Sequence, residues 1–101
     1  MDKKQQLFNL AGLAKRAGKI TTGEELVTKA IQSGRTKFIF LANDASQNLI
    51  KKMTDKSKFY EVTVCQTFSE IELSQAIGQN RKVIAVLDDG FAKKMESLMT
   101  E

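Results

Sequence analysis

Apolar residues recur along this chain at two alternating periods. In KKQQLFNLAGLAKRAG, Leu7, Leu10, Ala11 and Ala14 fall at helical spacing, and Gly18 stands where a helix commonly ends. A short strand, KIT, leads into GEELVTKAIQSG, whose Val27, Ala30 and Ile31 line one helical face before Gly34 stops it. KFIFLA is a continuous apolar run with the composition of a strand buried on both faces. SQNLIKKMTDKS returns to helical spacing, with Leu49, Ile50 and Met53 turned inward, and EVTVCQ reads as a strand. SEIELSQAIG is a helix with Ile71, Leu73 and Ile77 as its main apolar positions. KVIAVL is a second buried strand, and GFAKKMESLM closes the chain as a helix through Phe91, Met95 and Leu98.

The order α-β-α-β-α-β-α-β-α, with short connections and no proline, predicts an α/β protein. Helices must cover both faces of the sheet, so the architecture is a three-layer α/β/α sandwich. A chain of 101 residues predicts one domain, residues 1–101. With 42% apolar and 28% charged residues it reads as an ordinary soluble globular chain. No apolar run approaches the roughly 18 residues of a membrane span, and no basic-then-apolar leader precedes the first helix. A cytoplasmic protein without membrane partners is expected.

Chemistry is constrained by what is scarce. One cysteine, Cys65, rules out a disulfide framework or thiolate cluster within one chain. Zero histidines remove the commonest metal ligand and the commonest acid–base catalyst. No catalytic residue, metal or cofactor is therefore expected. The formal charge of +4 is unevenly spread. Residues 1–36 hold seven Lys/Arg against three Asp/Glu, and residues 37–60 hold five against two, whereas 61–80 carry three acids and no base. A polyanion would dock on the N-terminal half.

The candidate site begins at TTGEELVTK. Thr22 and Glu25 fit the capping-box spacing Thr-x-x-Glu, and Glu25 lies four residues before Lys29, a favourable surface pair. Both features are explained by helix stability alone. A second reading starts from the two acids, Glu24 and Glu25, at the positive end of a helix. Bare phosphate favours such an end, but these carboxylates repel it, and neither G-x-x-x-x-G-K-[ST] nor G-x-G-x-x-G occurs. A carboxylate can instead accept hydrogen bonds from base N–H groups such as those of guanine. Acids among basic phosphate contacts suit a reader of an exposed base edge.

Other charged groups compete. Lys15, Arg16 and Lys19 suit the C-terminal end of the first helix, and Lys51, Lys52, Lys56 and Lys58 form a basic helix face of the solubilising kind. Asp44, Asp88 and Asp89 follow apolar strands, where ligands of open α/β sheets gather and aspartates can hold Mg²⁺. Against that, Asp44 reads as a helix N-cap, and DDGF as a turn feeding the last helix. Most of the six phenylalanines lie in apolar runs, leaving few for a base-stacking platform.

LAGLAKRAGKITTGEELVTKAIQSGRTKFIFLANDAS resembles the ribosomal protein L7Ae/L30e superfamily of kink-turn RNA-binding proteins, and is most similar to its bacterial YlxQ-type members. The likeness runs from GLAKRAGKI through LSQAIG to VIAVLDDGFAKK. It implies a three-layer α/β/α fold on a four-stranded mixed sheet, and structured RNA, ribosomal or otherwise non-coding, as the partner. In that family the loop before the second helix and its first turn enter the groove of a kinked RNA and contact sheared G·A pairs. The resemblance therefore implies an RNA-binding set of Thr22, Gly23, Glu25, Leu26 and Lys29, Gly23 matching the family glycine and Lys29 the family lysine. Typical kink-turn binders carry Asn then Glu where this chain has Glu25 then Leu26. Glu25 lacks an amide donor, and Leu26 can only pack. A second RNA-facing loop precedes the last strand, where QNRK offers Arg81 and Lys82 as phosphate contacts or as a solvated turn. The alternative is a protein-interaction module on the same fold that has lost RNA binding, with Leu26 as its anchor.

Overall fold

The computed structural model describes residues 2–100. Its elements are α1 (Lys3–Arg16), β1 (Ile20–Thr22), α2 (Glu24–Gln32), β2 (Phe38–Leu41) and α3 (Gln47–Phe59), followed by β3 (Thr63–Cys65), α4 (Glu70–Ile77), β4 (Val83–Val86) and α5 (Asp89–Thr100). All nine follow the periodicity of the sequence. The sheet has the order β1-β4-β2-β3, with β4 antiparallel to both β1 and β2 and β3 parallel to β2, so it is four-stranded and mixed.

The two apolar strands occupy the centre because their side chains are buried on both faces, and their period of two sorts residues between two cores. Phe38, Phe40, Ile84 and Val86 face one layer, where Leu7, Ala11 and Ala14 of α1 meet Leu73 and Ile77 of α4 and Met95 and Leu98 of α5. Ile39, Leu41, Val83 and Ala85 face the other, against Val27, Ala30 and Ile31 of α2 and Met53 of α3. The pairings Phe38↔Val86 and Phe40↔Ile84 keep each set on its own side. Phe38 and Phe40 meet edge-on at 5.2 Å without solvent contact, and truncating either to alanine would remove about 3–5 kcal/mol. Among the described residues no helix is long and apolar enough to cross a membrane.

Ile71, expected inside, is exposed. Leu73 and Ile77 set the inward face of α4, and Ile71, two positions before Leu73, is rotated about 200° away from it. Phe68, just ahead of the helix, is buried in that core instead.

Strand direction decides which loops meet. Thr22 pairs with Ile84 and Leu41 with Val83, so the ends of β1 and β2 lie beside the start of β4. Backbone hydrogen bonds lace these loops together: Gly23 N–H donates to Val83 O at 3.1 Å, Ala42 N–H to Lys82 O at 2.8 Å, and Asn43 N–H to Phe68 O at 2.9 Å. This edge carries the start of α2 and the loop before β4.

Candidate nucleic-acid interface

The edge is built around Gly23. Thr22 remains extended because it pairs with Ile84, and the chain turns into α2 only at Gly23, whose φ of 91° and ψ of 151° belong to a region essentially reserved for glycine. Gly23 is the N-cap, with its carbonyl accepting from Val27 N–H at 3.0 Å, and no side chain caps the helix. The expected Thr22–Glu25 capping box is therefore absent: sheet pairing outcompetes the cap, and Glu25 falls one position too early. A capping box does form on α4, where Ser69 Oγ accepts from Glu72 N–H at 3.2 Å and Glu72 Oε1 from Ser69 N–H at 3.0 Å.

Thr22 has another partner. Its hydroxyl oxygen accepts from Arg81 Nε at 3.0 Å, joining β1 to the loop before β4 across 59 positions of sequence. Arg81 also donates from Nη1 to Asn80 O at 2.8 Å, and its backbone N–H donates to Ser74 Oγ at 3.1 Å. The guanidinium is thus held in place at half-burial, with its remaining N–H groups available to an outside acceptor. Lys82 is exposed next to it, its carbonyl tied to Ala42.

The two glutamates differ in their engagements. Glu24 pairs with Lys52 of α3 at 2.6 Å, both side chains half exposed. Glu25 reaches Lys29 at 3.5 Å with its side chain 84% exposed, a contact that stabilises by a few tenths of a kcal/mol at most. Leu26 beside it is 54% exposed. Thr22, Gly23, Glu25, Leu26, Arg81 and Lys82 thus lie at the edge, with Lys29 a helical turn further on. Ser74 and Asn80 enter through local contacts that hold the Arg81 loop, and Lys52 through its pairing with Glu24 across 28 positions of sequence.

The aspartates do not gather. Antiparallel pairing sends the ends of β2 and β4 to opposite sides of the sheet, separating Asp44 from Asp88 and Asp89. Asp44 is not the cap of α3, a role that falls to Ser46; its Oδ1 accepts from Glu70 N–H at 2.9 Å, at the start of α4. Asp88 Oδ1 accepts from Gly90 and Phe91 N–H groups at 2.7 and 3.1 Å, as a turn feeding α5 requires. Among the described residues no group of three or more His, Cys, Asp or Glu is placed to hold a metal ion. Lys15, Arg16 and Lys19 lie at the opposite end of β1 from the edge, where Lys19 O accepts from Leu87 N–H at 2.8 Å.

The chain matches the model of the Ribosomal protein L7Ae/L30e/S12e/Gadd45 family over residues 5–96. It is 51% identical over 96 residues to RNA-binding protein YlxQ of Enterococcus faecium, a match covering 95% of this chain and 93% of that protein. With RNA-binding protein YlxQ of Bacillus subtilis (strain 168) it shares 46% identity over 93 residues, 91% of this chain and 93% of the relative. A solved protein of unknown function from Bacillus halodurans superposes with a TM-score of 0.89 at 40% identity, covering 94% of this chain and 97% of that one. The Giardia lamblia 15.5kD RNA binding protein has the same fold, with a TM-score of 0.78 at 17% identity over 95% of this chain and 89% of its own. Sequence and fold agree along nearly the whole chain, and it belongs to the Ribosomal protein L7Ae/L30e/S12e/Gadd45 family.

Proposed function

We propose that this protein is a non-enzymatic, single-domain RNA-binding protein of the cytoplasm, and that it recognises a kink-turn or related internal loop in ribosomal or other non-coding RNA. The observation that carries the reading is the Arg81–Thr22 bridge, which holds two loops as one edge before any partner arrives. Binding then spends little free energy on ordering them. Both YlxQ relatives are named as RNA-binding proteins, which supports the partner class. In the proposed complex Gly23 lets the backbone approach the RNA, Glu25 accepts from base N–H groups, and Lys29, Arg81 and Lys82 meet phosphates. Leu26 packs on a base or ribose where a polar reader would hydrogen-bond.

Titration of a kink-turn RNA against an unkinked duplex of equal length, over a range of salt, tests this. The kink-turn should bind much more tightly, with affinity falling steeply as salt rises because phosphate contacts release counterions. Equal affinity for both would reduce the interaction to non-specific electrostatics. The exposed Leu26 favours a second reading, a protein-interaction surface at the same edge. A crosslinking pull-down that recovers a protein and no internal-loop RNA would select it.

A further inference from the structure

Five of the six phenylalanines are buried or half-buried, and the sixth is not: Phe59, the last residue of α3, is 79% exposed. Tyr60 follows at the C-cap, 38% exposed, its ring edge-on to Phe59 at 4.9 Å. Leaving so large an apolar ring in water contributes nothing to the core, and the two rings form an edge-to-face pair on the outside of the molecule. They share an open groove with Lys52, Asp55 and Lys56. The spacing 52, 56, 59, 60 lays the lysines and rings along one face of the helix. From Gln47 to Tyr60 the chain carries Lys51, Lys52, Lys56 and Lys58 against Asp55 alone, and Lys56 and Lys58 make no ion pair among the described residues.

Exposed aromatic faces beside unpaired cations are the chemistry of single-stranded nucleic acid binding, in which bases stack on the rings and lysines follow the phosphates. A protein partner fits this face poorly, because lysine is depleted from buried interface cores and these ammonium groups would have no partner there. We propose that the outer face of α3 is a second RNA contact that takes a single-stranded segment, with one base stacked on Phe59 and Tyr60 and a phosphate on Lys56. This surface runs down from Lys52, which is tied to Glu24 in the first turn of α2.

The chain supplies its own probe, since Tyr60 is its one tyrosine and it has no tryptophan. Hexa-adenylate, which cannot form an internal loop, tests this face independently of the edge site. It should quench Tyr60 emission saturably, whereas inorganic polyphosphate of equal charge should not. Phe59→Ala and Phe59→Leu should each weaken hexa-adenylate binding by roughly 5- to 150-fold, the loss of one stacked base, while Phe59→Trp retains it. Lys56→Gln should make the salt slope shallower by about 0.7. Phe59→Ala should bind an internal-loop RNA at the edge as the wild type does. Wild-type affinity for hexa-adenylate in Phe59→Leu, or equal quenching by polyphosphate, would overturn the proposal. So would a concentration-dependent dimer in sedimentation that Phe59→Ala abolishes, because the face would then be covered by a second copy.

Discussion

Replacing Gly23 with alanine separates backbone strain from steric clash. A Cβ built on Gly23 meets nothing within 4 Å, so the substitution introduces no collision inside the protein. What it introduces is an L residue at φ 91° and ψ 151°. That conformation costs alanine about 1–3 kcal/mol, and the loss of freedom in the unfolded chain returns about 0.4–1 kcal/mol, for a net destabilisation of about 1.3 kcal/mol at the midpoints and about 2.6 kcal/mol at most. Gly18→Ala is the control. Gly18 has φ 70° and equally open space, but lies at the end of α1, away from the proposed RNA edge. Urea unfolding measures both costs, with the slope unchanged and the midpoint lowered. RNA titration distinguishes them: Gly23→Ala should weaken binding, because relieving the strain moves the first turn of α2, while Gly18→Ala should not. A Gly23→Ala protein within about 0.5 kcal/mol of wild type and unchanged in RNA affinity would refute the argument, since the loop would be free to relax.

The Arg81–Thr22 bridge predicts coupling: Thr22→Val and Arg81→Lys should each cost about 0.5–1.5 kcal/mol, and the double variant should cost little more than either alone. Full additivity in urea unfolding would mean that the 3.0 Å contact carries no energy. Glu25→Gln should change stability by no more than about 0.5 kcal/mol, since it breaks only an exposed pair, but should weaken binding of a G·A internal loop by roughly 1–3 kcal/mol. Unchanged or improved affinity would end the base-reading role. The Glu72 carboxyl is held below the usual glutamate range, first by the Ser69 backbone N–H and then by Lys4 at 3.0 Å, so its stabilisation is present at neutral pH and is lost as pH falls through that lowered value. Glu72→Gln should therefore flatten the acid limb of stability against pH, and a parallel curve would refute this.

Periodicity was sufficient to read the elements because burial is local: Leu7, Ala11 and Ala14 face the core wherever α1 packs. Direction was not readable, because both central strands are continuous apolar runs whichever way they point. That is why Asp44 and Asp88 look like neighbours at strand ends yet lie at opposite sides of the sheet. The cap at Thr22 misled for a related reason. Thr-x-x-Glu is a local pattern, and the pairing of Thr22 with Ile84 is a long-range constraint that overrides it.

Glu24 and Glu25 show how far a one-residue difference extends. Neighbours on a helix point about 100° apart, and that rotation sends Glu24 toward Lys52 on α3 while Glu25 faces outward beside Leu26. Glu24 acts as a tie between two helices, since its 2.6 Å contact joins segments 28 positions apart. Among the described residues Glu25 is paired with Lys29 alone, at 3.5 Å, a contact for whose ammonium a phosphate would compete. In the proposed complex, a Lys29 turned to a phosphate would free the Glu25 carboxylate to accept from a base N–H group. In this edge the pair of acids divides between holding α2 in place and leaving one acceptor open.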